Sequence, residues 1–246
     1  MHALILAAGY ATRLYPLTRA CPKPLLPVAG RPVVQHILER LRSVPALDGT
    51  LVVTNAKFAP PFRAWSRTLR LRRPPVILND GTTSNRHRLG AIGDMALALR
   101  RRPELRGDLL IVAGDNLFDW SLASFVRLAH RRRPAATLGL QRIRQRALLR
   151  QYGTVRRARN GRLTAFIEKS PHPASSLVAL GIYYFPAEVL TLLQQYVAQG
   201  GLPDAPGYFL EWLIRRHPVY GHIFRGSWYD IGDFSSYRDA CRAFTT

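Results

Sequence analysis

His2-Ala3-Leu4-Ile5-Leu6-Ala7-Ala8-Gly9-Tyr10-Ala11-Thr12-Arg13-Leu14 is the stretch from which the fold is read. Residues 2–7 read as a buried strand that breaks at Gly9. Small residues at the break let a backbone approach a phosphate or a base closely. The loop is neither the dinucleotide fingerprint G-x-G-x-x-G nor the Walker pattern G-x-x-x-x-G-K-[ST]. Outward from this strand the rhythm repeats. Residues 32–43 read as a helix opened by Pro32, 51–54 as a strand and 60–70 as a helix. Residues 75–78 follow as a strand, 91–102 as a helix, 108–113 as a strand and 121–131 as a helix. That alternation predicts an α/β fold: a doubly wound, mostly parallel sheet with helices on both faces.

The second half changes character. Strands are expected at 135–141, 152–158, 162–168 and 177–185, with Asn160-Gly161 as a hairpin signal between the middle two. Helices at 187–199 and 207–216, strands near 219–224 and 227–230, and a last helix over 233–243 complete the pattern. Asp233 reads as the N-cap of that helix. No repeat, low-complexity segment or Pro/Ser-rich linker divides the chain. One domain over 1–246 is therefore expected, in two halves (about 1–134 and about 135–246) that share a core.

The chain has 246 residues, of which 47% are hydrophobic, enough for a sizeable core and against wholesale disorder. No stretch reaches the roughly 20 apolar residues of a membrane span. The first ten residues lack the cationic region of a secretory signal. Two cysteines, Cys21 and Cys241, are too few for a disulfide framework. A cytoplasmic protein with free thiols is the expectation. Lys and Arg number 36 against 15 Asp and Glu, a formal charge of +21 that attracts polyanions or reflects a bias toward arginine. Only three of the 36 cations are lysines: Lys23, Lys57 and Lys169. Lysine is a compact point charge and arginine a planar fork, so the surviving lysines draw attention to phosphate sites.

Several segments could carry chemistry. In Cys21-Pro22-Lys23-Pro24-Leu25-Leu26-Pro27, three prolines pin the path of one lysine, as a stiff surface loop or a binding element. In Gly114-Asp115-Asn116 an acidic residue follows an apolar strand. It suits Mg²⁺, which takes few carboxylates and keeps waters and phosphates, and it equally suits a helix cap. Glu168-Lys169 closes the hairpin as a surface ion pair or a site. Asp230 stands beside Trp228 and Tyr229 and could complete a metal site with Asp115. The polar loop 79–85, headed by Asn79, suits a base or sugar. Gly90 and Gly93 open the next helix where close approach is needed. The seven histidines form no zinc motif, and no G-x-S-x-G elbow is present.

Taken in order, these segments resemble the sugar nucleotidylyltransferases, and among them enzymes of the glucose-1-phosphate thymidylyltransferase type. The family opening, L-A-A-G-x-G-T-R-L-x-P-L-T and then P-K-P-L-L-P-V-x-G-x-P, stands here as Leu6 to Thr18 and Pro22 to Pro32. The likeness continues at Gly90, Gly114-Asp115-Asn116, Tyr152-Gly153, Glu168-Lys169 and Asp230. One departure is Ala11, where the family has its second glycine; alanine resists a left-handed backbone by about 1 kcal/mol or more.

The resemblance implies a Rossmann-like nucleotidyltransferase sheet, with nucleotide bound by the first half and acceptor by the second. It implies that a sugar 1-phosphate oxygen attacks the α-phosphorus of an NTP and pyrophosphate leaves, giving an NDP-sugar without a covalent enzyme intermediate. By position, Arg13 and Lys23 would grip the triphosphate and Lys169 the sugar phosphate. Leu6, Ala7, Ala8, Gly9, Asn79 and Gly90 would bind nucleotide. Tyr152, Gly153 and Glu168 would line the sugar pocket, and Asp115 and Asp230 would hold Mg²⁺. Gly90 would face the base, so that a side chain there blocks nucleotide with the fold intact. No hexapeptide β-helix follows, so a bifunctional acetyltransferase is not expected. Base and acceptor stay open, a cyclitol or other non-hexose phosphate included, and so does homo-oligomerisation. A non-catalytic basic protein that binds nucleotide or nucleic acid is the alternative, and no specific nucleic-acid partner or membrane is expected.

Overall fold

A computed structural model of the protein describes residues 1–244. In chain order, the first half holds β1 (His2–Leu6), β2 (Pro27–Val28), β3 (Arg31–Pro32), α1 (Val33–Leu41), β4 (Gly49–Thr54), α2 (Ala59–Thr68) and β5 (Val76–Asn79). It continues with α3 (Gly90–Arg101), β6 (Leu109–Ala113), β7 (Asn116–Phe118) and α4 (Ala123–Arg131). The second half holds β8 (Ala136–Arg142), α5 (Arg146–Leu149), β9 (Thr154–Arg157), β10 (Leu163–Ile167), β11 (Leu177–Phe185) and α6 (Ala187–Ala198). Then come α7 (Pro206–Ile214), β12 (Val219–Ile223), β13 (Trp228–Asp230) and α8 (Phe234–Ala243).

β5, β4, β1 and β6 lie side by side in that order and run parallel. The chain winds outward from β1 to β5, then crosses back to the other side of β1. The crevice at the carboxyl ends of β1 and β6 is therefore the switch point, where open α/β sheets bind ligands. β11 joins β6 antiparallel and brings in the second half, with β8 and β12 on its far edge. The sheet is thus parallel in its first half and mixed in its second.

Alternation along the central strands divides the core. Leu4, Leu109 and Ile111 face α3, α6 and α7, while Ala3, Ile5, Leu110 and Val112 face α1, α2 and α4. Helices thus cover both faces. A third cluster of Leu14, Leu26, Val28, Val33, Leu117, Ile231 and Ala240 ties the two N-terminal motifs to α8. The 160–161 hairpin forms, with Gly161 at φ +90° and the Arg162 N–H donating to Asn160 Oδ1 at 3.0 Å. Three features escape a reading by periodicity: the two-residue ribbon β2–β3, the short α5, and β7, which pairs with β13.

β11 bends at Gly181 (φ +68°), where a Cβ would press on Ala113 and on the Asn116 amide. The bend lets one edge of a single strand pair with β6 and then with β9. Neither cysteine is in a disulfide. Among the described residues no helix is long and apolar enough to cross a membrane.

Candidate functional site

The switch-point crevice is built by four loops. The first leaves β1 through buried Ala7 and Ala8 and exposed Gly9. Its turn is made by Ala11 in the left-handed region (φ 48°, ψ 43°), so the loop keeps the glycine conformation with an alanine. Two hydrogen bonds hold it there: Thr18 Oγ1 and the Leu14 N–H both donate to the Ala11 carbonyl, at 2.7 and 3.0 Å. Leu14 is fully buried in the third cluster, which leaves Arg13 exposed beside Gly232 at the head of α8.

The second loop is the proline-pinned turn Lys23–Leu25. Pro22 and Pro24 are buried, and the Lys23 ammonium is delivered to Asp115 Oδ2 at 2.6 Å. The third loop leaves β6. The Gly114 N–H donates to the Leu6 carbonyl at 2.8 Å, and a Cβ at Gly114 would meet that oxygen, so only glycine seats Asp115 between the two loops. The fourth follows β13. Asp230 pairs in register with Asn116, and the Ile231 N–H donates to the Asp115 carbonyl at 3.1 Å. Asp115 and Asp230 are thereby neighbours across a two-stranded ribbon.

Burial raises the pKa of Asp230 to about 7; the Asp115 carboxylate adds to this, and Lys23, Arg13 and Lys169 oppose it. Five charged side chains, from segments spread over most of the chain, therefore share one field. Tyr152 lies in the same field, pushed up to about 12 by burial and by Asp230 and Asp115, with its ring 5.3 Å from that of Trp228. The donors suit a hard divalent cation. Two carboxylates converge, and Asp230 makes no hydrogen bond among the described residues. No group of three or more His, Cys, Asp and Glu gathers there, and Mg²⁺ does not require one.

Beside this centre lies a narrow compartment around Glu168, whose side chain is only 9% exposed. It is tucked against Gly153 and Gly207, where any Cβ would strike it. Burial raises its pKa, Glu211 adding to and Lys169 opposing the shift. The Glu168 N–H donates to Glu211 Oε1 at 2.8 Å. Lys169 stands in the left-handed region (φ 39°), and its exposed ammonium lies 3.8 Å from Glu168 Oε1.

The flank of the first half is different. Asn79 ends β5, and its Oδ1 accepts the Gly81 N–H at 2.9 Å. Asn55 Nδ2 donates to the Ala8 carbonyl, and Tyr10 OH meets Thr82 Oγ1 at 3.4 Å, so the first loop and the 79–85 loop form one wall. Gly90 does not leave a bare backbone open to a ligand. Its φ is +77°, and a Cβ would lie 2.5 Å from both Pro203 O and Asp204 Cα. The Pro203 and Asp204 carbonyls accept the first N–H groups of α3, and Asp204 pairs with Arg88. The glycine is needed for an intramolecular contact, which corrects the expectation that a side chain there leaves the fold intact.

Arg13, Lys23, Asp115, Tyr152, Lys169 and Asp230 are thus brought together, with Leu6 to Gly9 along one side and Gly153 and Glu168 adjoining. Asn79 and Gly90 stand on the flank. Sequence reasoning quoted Asn116 in its motif without giving it a role, and missed Glu211 and a buried pair, Asp80 and Asp94. Asn116 accepts from Trp228 Nε1 and donates to the Leu180 carbonyl. The partners of Glu211 and Asn116 are far away in the chain, and the one local signal for the three acidic residues was their scarcity.

Residues 2–246 match the family model for nucleotidyl transferases. A UTP–glucose-1-phosphate uridylyltransferase of Synechocystis is 28% identical over 98% of this chain and 63% of its own length. A mannose-1-phosphate guanylyltransferase of Mycobacterium tuberculosis is 31% identical over 94% of this chain and 60% of its own. The chain therefore spans less than two thirds of these relatives. A crystal structure of UDP-glucose pyrophosphorylase with UDP-glucose superposes with a TM-score of 0.85 at 16% identity, covering 99% of this chain and 97% of that one. That likeness concerns the fold.

Proposed function

Because the chain belongs to the nucleotidyl transferase family, we propose that it transfers a nucleotidyl group from an NTP to a sugar 1-phosphate, releasing pyrophosphate and forming an NDP-sugar. One observation carries this reading. Three cations and two carboxylates converge at the switch point, next to a compartment with a buried glutamate. An acceptor phosphate attacking a triphosphate brings two anions together, and a site for it must supply cations on both sides.

In this reading an acceptor oxygen forms a bond to the α-phosphorus as the bond to the bridging oxygen of pyrophosphate breaks, in line. Little covalent work falls to the protein; it positions the reactants and neutralises charge. Lys169 holds the acceptor phosphate, and Glu168 takes hydrogen bonds from sugar hydroxyls at the floor of its compartment. Arg13 and Lys23 face the departing phosphates. Leu6 to Gly9 give the nucleotide a backbone surface, and Asn79 contributes at the flank. Asp115 and Asp230 would hold Mg²⁺, which when bound neutralises charge at the α-phosphate. Lys23 is paired with Asp115 in the structure, so occupation of the carboxylates by a metal leaves the lysine free for phosphate.

The test is pyrophosphate release from each of four NTPs against a panel of sugar 1-phosphates and a cyclitol phosphate, with and without Mg²⁺. Turnover with at least one pair, dependent on the metal, is expected. No release from any pair would overturn the reading.

A further inference from the structure

One cleft of the protein lies apart from the residues assigned above. It has a volume of about 680 Å³ and is walled by the end of β8, by α5 and by the loop 171–176. Arg142, Arg144, Arg146 and Arg150 line it with His172, and no Asp or Glu does. Among the described residues none of the four arginines lies within ion-pairing distance of a carboxylate. Arg142 is braced, donating to Ser176 Oγ at 2.6 Å.

A chain this rich in arginine places arginines in many hollows, so the contrast with the second cleft decides. That one, about 530 Å³ between α1 and residues 69–75, also carries arginines, but a carboxylate stands among them. Glu39 lines it and pairs with Arg31, and Arg73 donates to the Asp48 carbonyl. In the first cleft four arginines line one concave surface with no acidic residue among them, so it offers an anion positive charge that no neighbouring carboxylate offsets. The guanidinium fork matches phosphate oxygens two at a time. The volume falls within the range of small-molecule sites. No Phe, Tyr or Trp lines the cleft, which lacks the large stacking platforms of a single-strand nucleic-acid groove.

We infer that this cleft binds a small molecule bearing two or more neighbouring phosphates, at a site separate from the switch-point crevice. A nucleoside diphosphate and a hexose bisphosphate share that chemistry. The loop 171–176 begins two residues after Lys169, so the site adjoins the acceptor side of the molecule.

The experiment is calorimetric titration with inorganic tripolyphosphate at low salt. Wild type is expected to bind at two sites, the crevice and the cleft. The exposed-surface variant R144Q/R146Q/R150Q should bind at one, with an unchanged Tm, and R13A/K23A should keep the cleft site. The charge-preserving R144K/R146K/R150K should bind there more weakly, because the forks are lost. Competition by a nucleoside diphosphate or by a hexose bisphosphate in R13A/K23A would support the site and say which ligand it takes. Two sites persisting in R144Q/R146Q/R150Q, or a single site abolished by R13A/K23A, would overturn the inference. So would tighter cleft binding of a single-stranded oligonucleotide than of tripolyphosphate. A single site that survives R13A/K23A and is lost in R144Q/R146Q/R150Q would support the cleft while counting against the crevice.

Discussion

The protein contains two pairs of neighbouring aspartates, and they are treated in opposite ways. Asp115 and Asp230 sit at the crest of the sheet among Lys23, Arg13 and Lys169. Asp80 and Asp94 lie sealed beneath the 79–85 loop, 7% and 4% exposed. Asp80 accepts from the Thr82 N–H and hydroxyl, and Tyr10 meets that same hydroxyl. Asp94 rests on Asp80, and its Oδ1 has no partner among the described residues. Burial, and then Asp80, raise the pKa of Asp94 to about 8. One pair is answered by cations at an open crevice, the other by a retained proton in the core. Two carboxylates side by side thus mark a charge-handling centre only where cations and solvent reach them.

The largest effect should come from the crest. Asp115→Asn and Asp230→Asn should each lower kcat by about 10² to 10³, as loss of one charge-stabilising group does in other enzymes, with little change in Tm. Chelator should abolish turnover as well. Steady-state rates near wild type in either variant would dissolve the contrast between the pairs.

The lysines sharpen it next. Lys23→Arg should mainly lower kcat, because the larger fork does not fit the point position from which the lysine, once released from Asp115, meets the leaving phosphates. Lys169→Arg should mainly raise KM for the sugar phosphate, since that charge meets the acceptor in the ground and transition states alike. Lys57, exposed and over the Phe58 ring, is the control, and Lys57→Arg should behave as wild type. Equal, small effects at all three positions would mean that their survival as lysine carries no mechanism.

Legibility followed the range of the interactions. Lys23, Asp115 and Lys169 were readable because each ends a strand or stands between prolines, and local punctuation of that kind survives in a single sequence. Gly90 was readable as a close approach, but not what approaches, because Pro203 and Asp204 lie over a hundred residues away. Ala11 obeys the tertiary demand for a left-handed turn against its own preference. Glu211, Asn116 and Asp94 sit inside regular elements, where only the packed fold says that a polar group is needed. The halves themselves were legible by their differing rhythm, whereas the bend that joins them depends on Gly181 meeting Ala113.

Gly90→Val tests the flank where chemistry is not at stake. A Cβ there meets backbone that cannot swing aside, and valine resists φ +77°. The variant should lose about 2–4 kcal/mol, which in a chain of this size lowers Tm by several degrees at about 2–4 °C per kcal/mol. An unchanged Tm with weakened nucleotide binding would instead return Gly90 to the base pocket.

The smallest effect, and the only gain, belongs to Asp94→Asn. In the folded protein Asp94 keeps its proton up to a pH of about 8, while in the unfolded chain it ionises near its ordinary 3.8. The folded state therefore binds more protons between those values, and stability falls as pH rises through that window. This contribution is whole below the unfolded pKa and gone above the folded one. Asparagine has the shape of the protonated acid, can still donate to Asp80, and has no proton to lose. Asp94→Asn should raise Tm by a few degrees near pH 8, by an amount that shrinks steadily as the pH is lowered toward about 5. Thermal unfolding of both proteins across that range is the measurement. A Tm difference that does not vary with pH would show that Asp94 is not the buried acid of the pair, and a lower Tm throughout would show that its second oxygen has a partner that asparagine cannot replace.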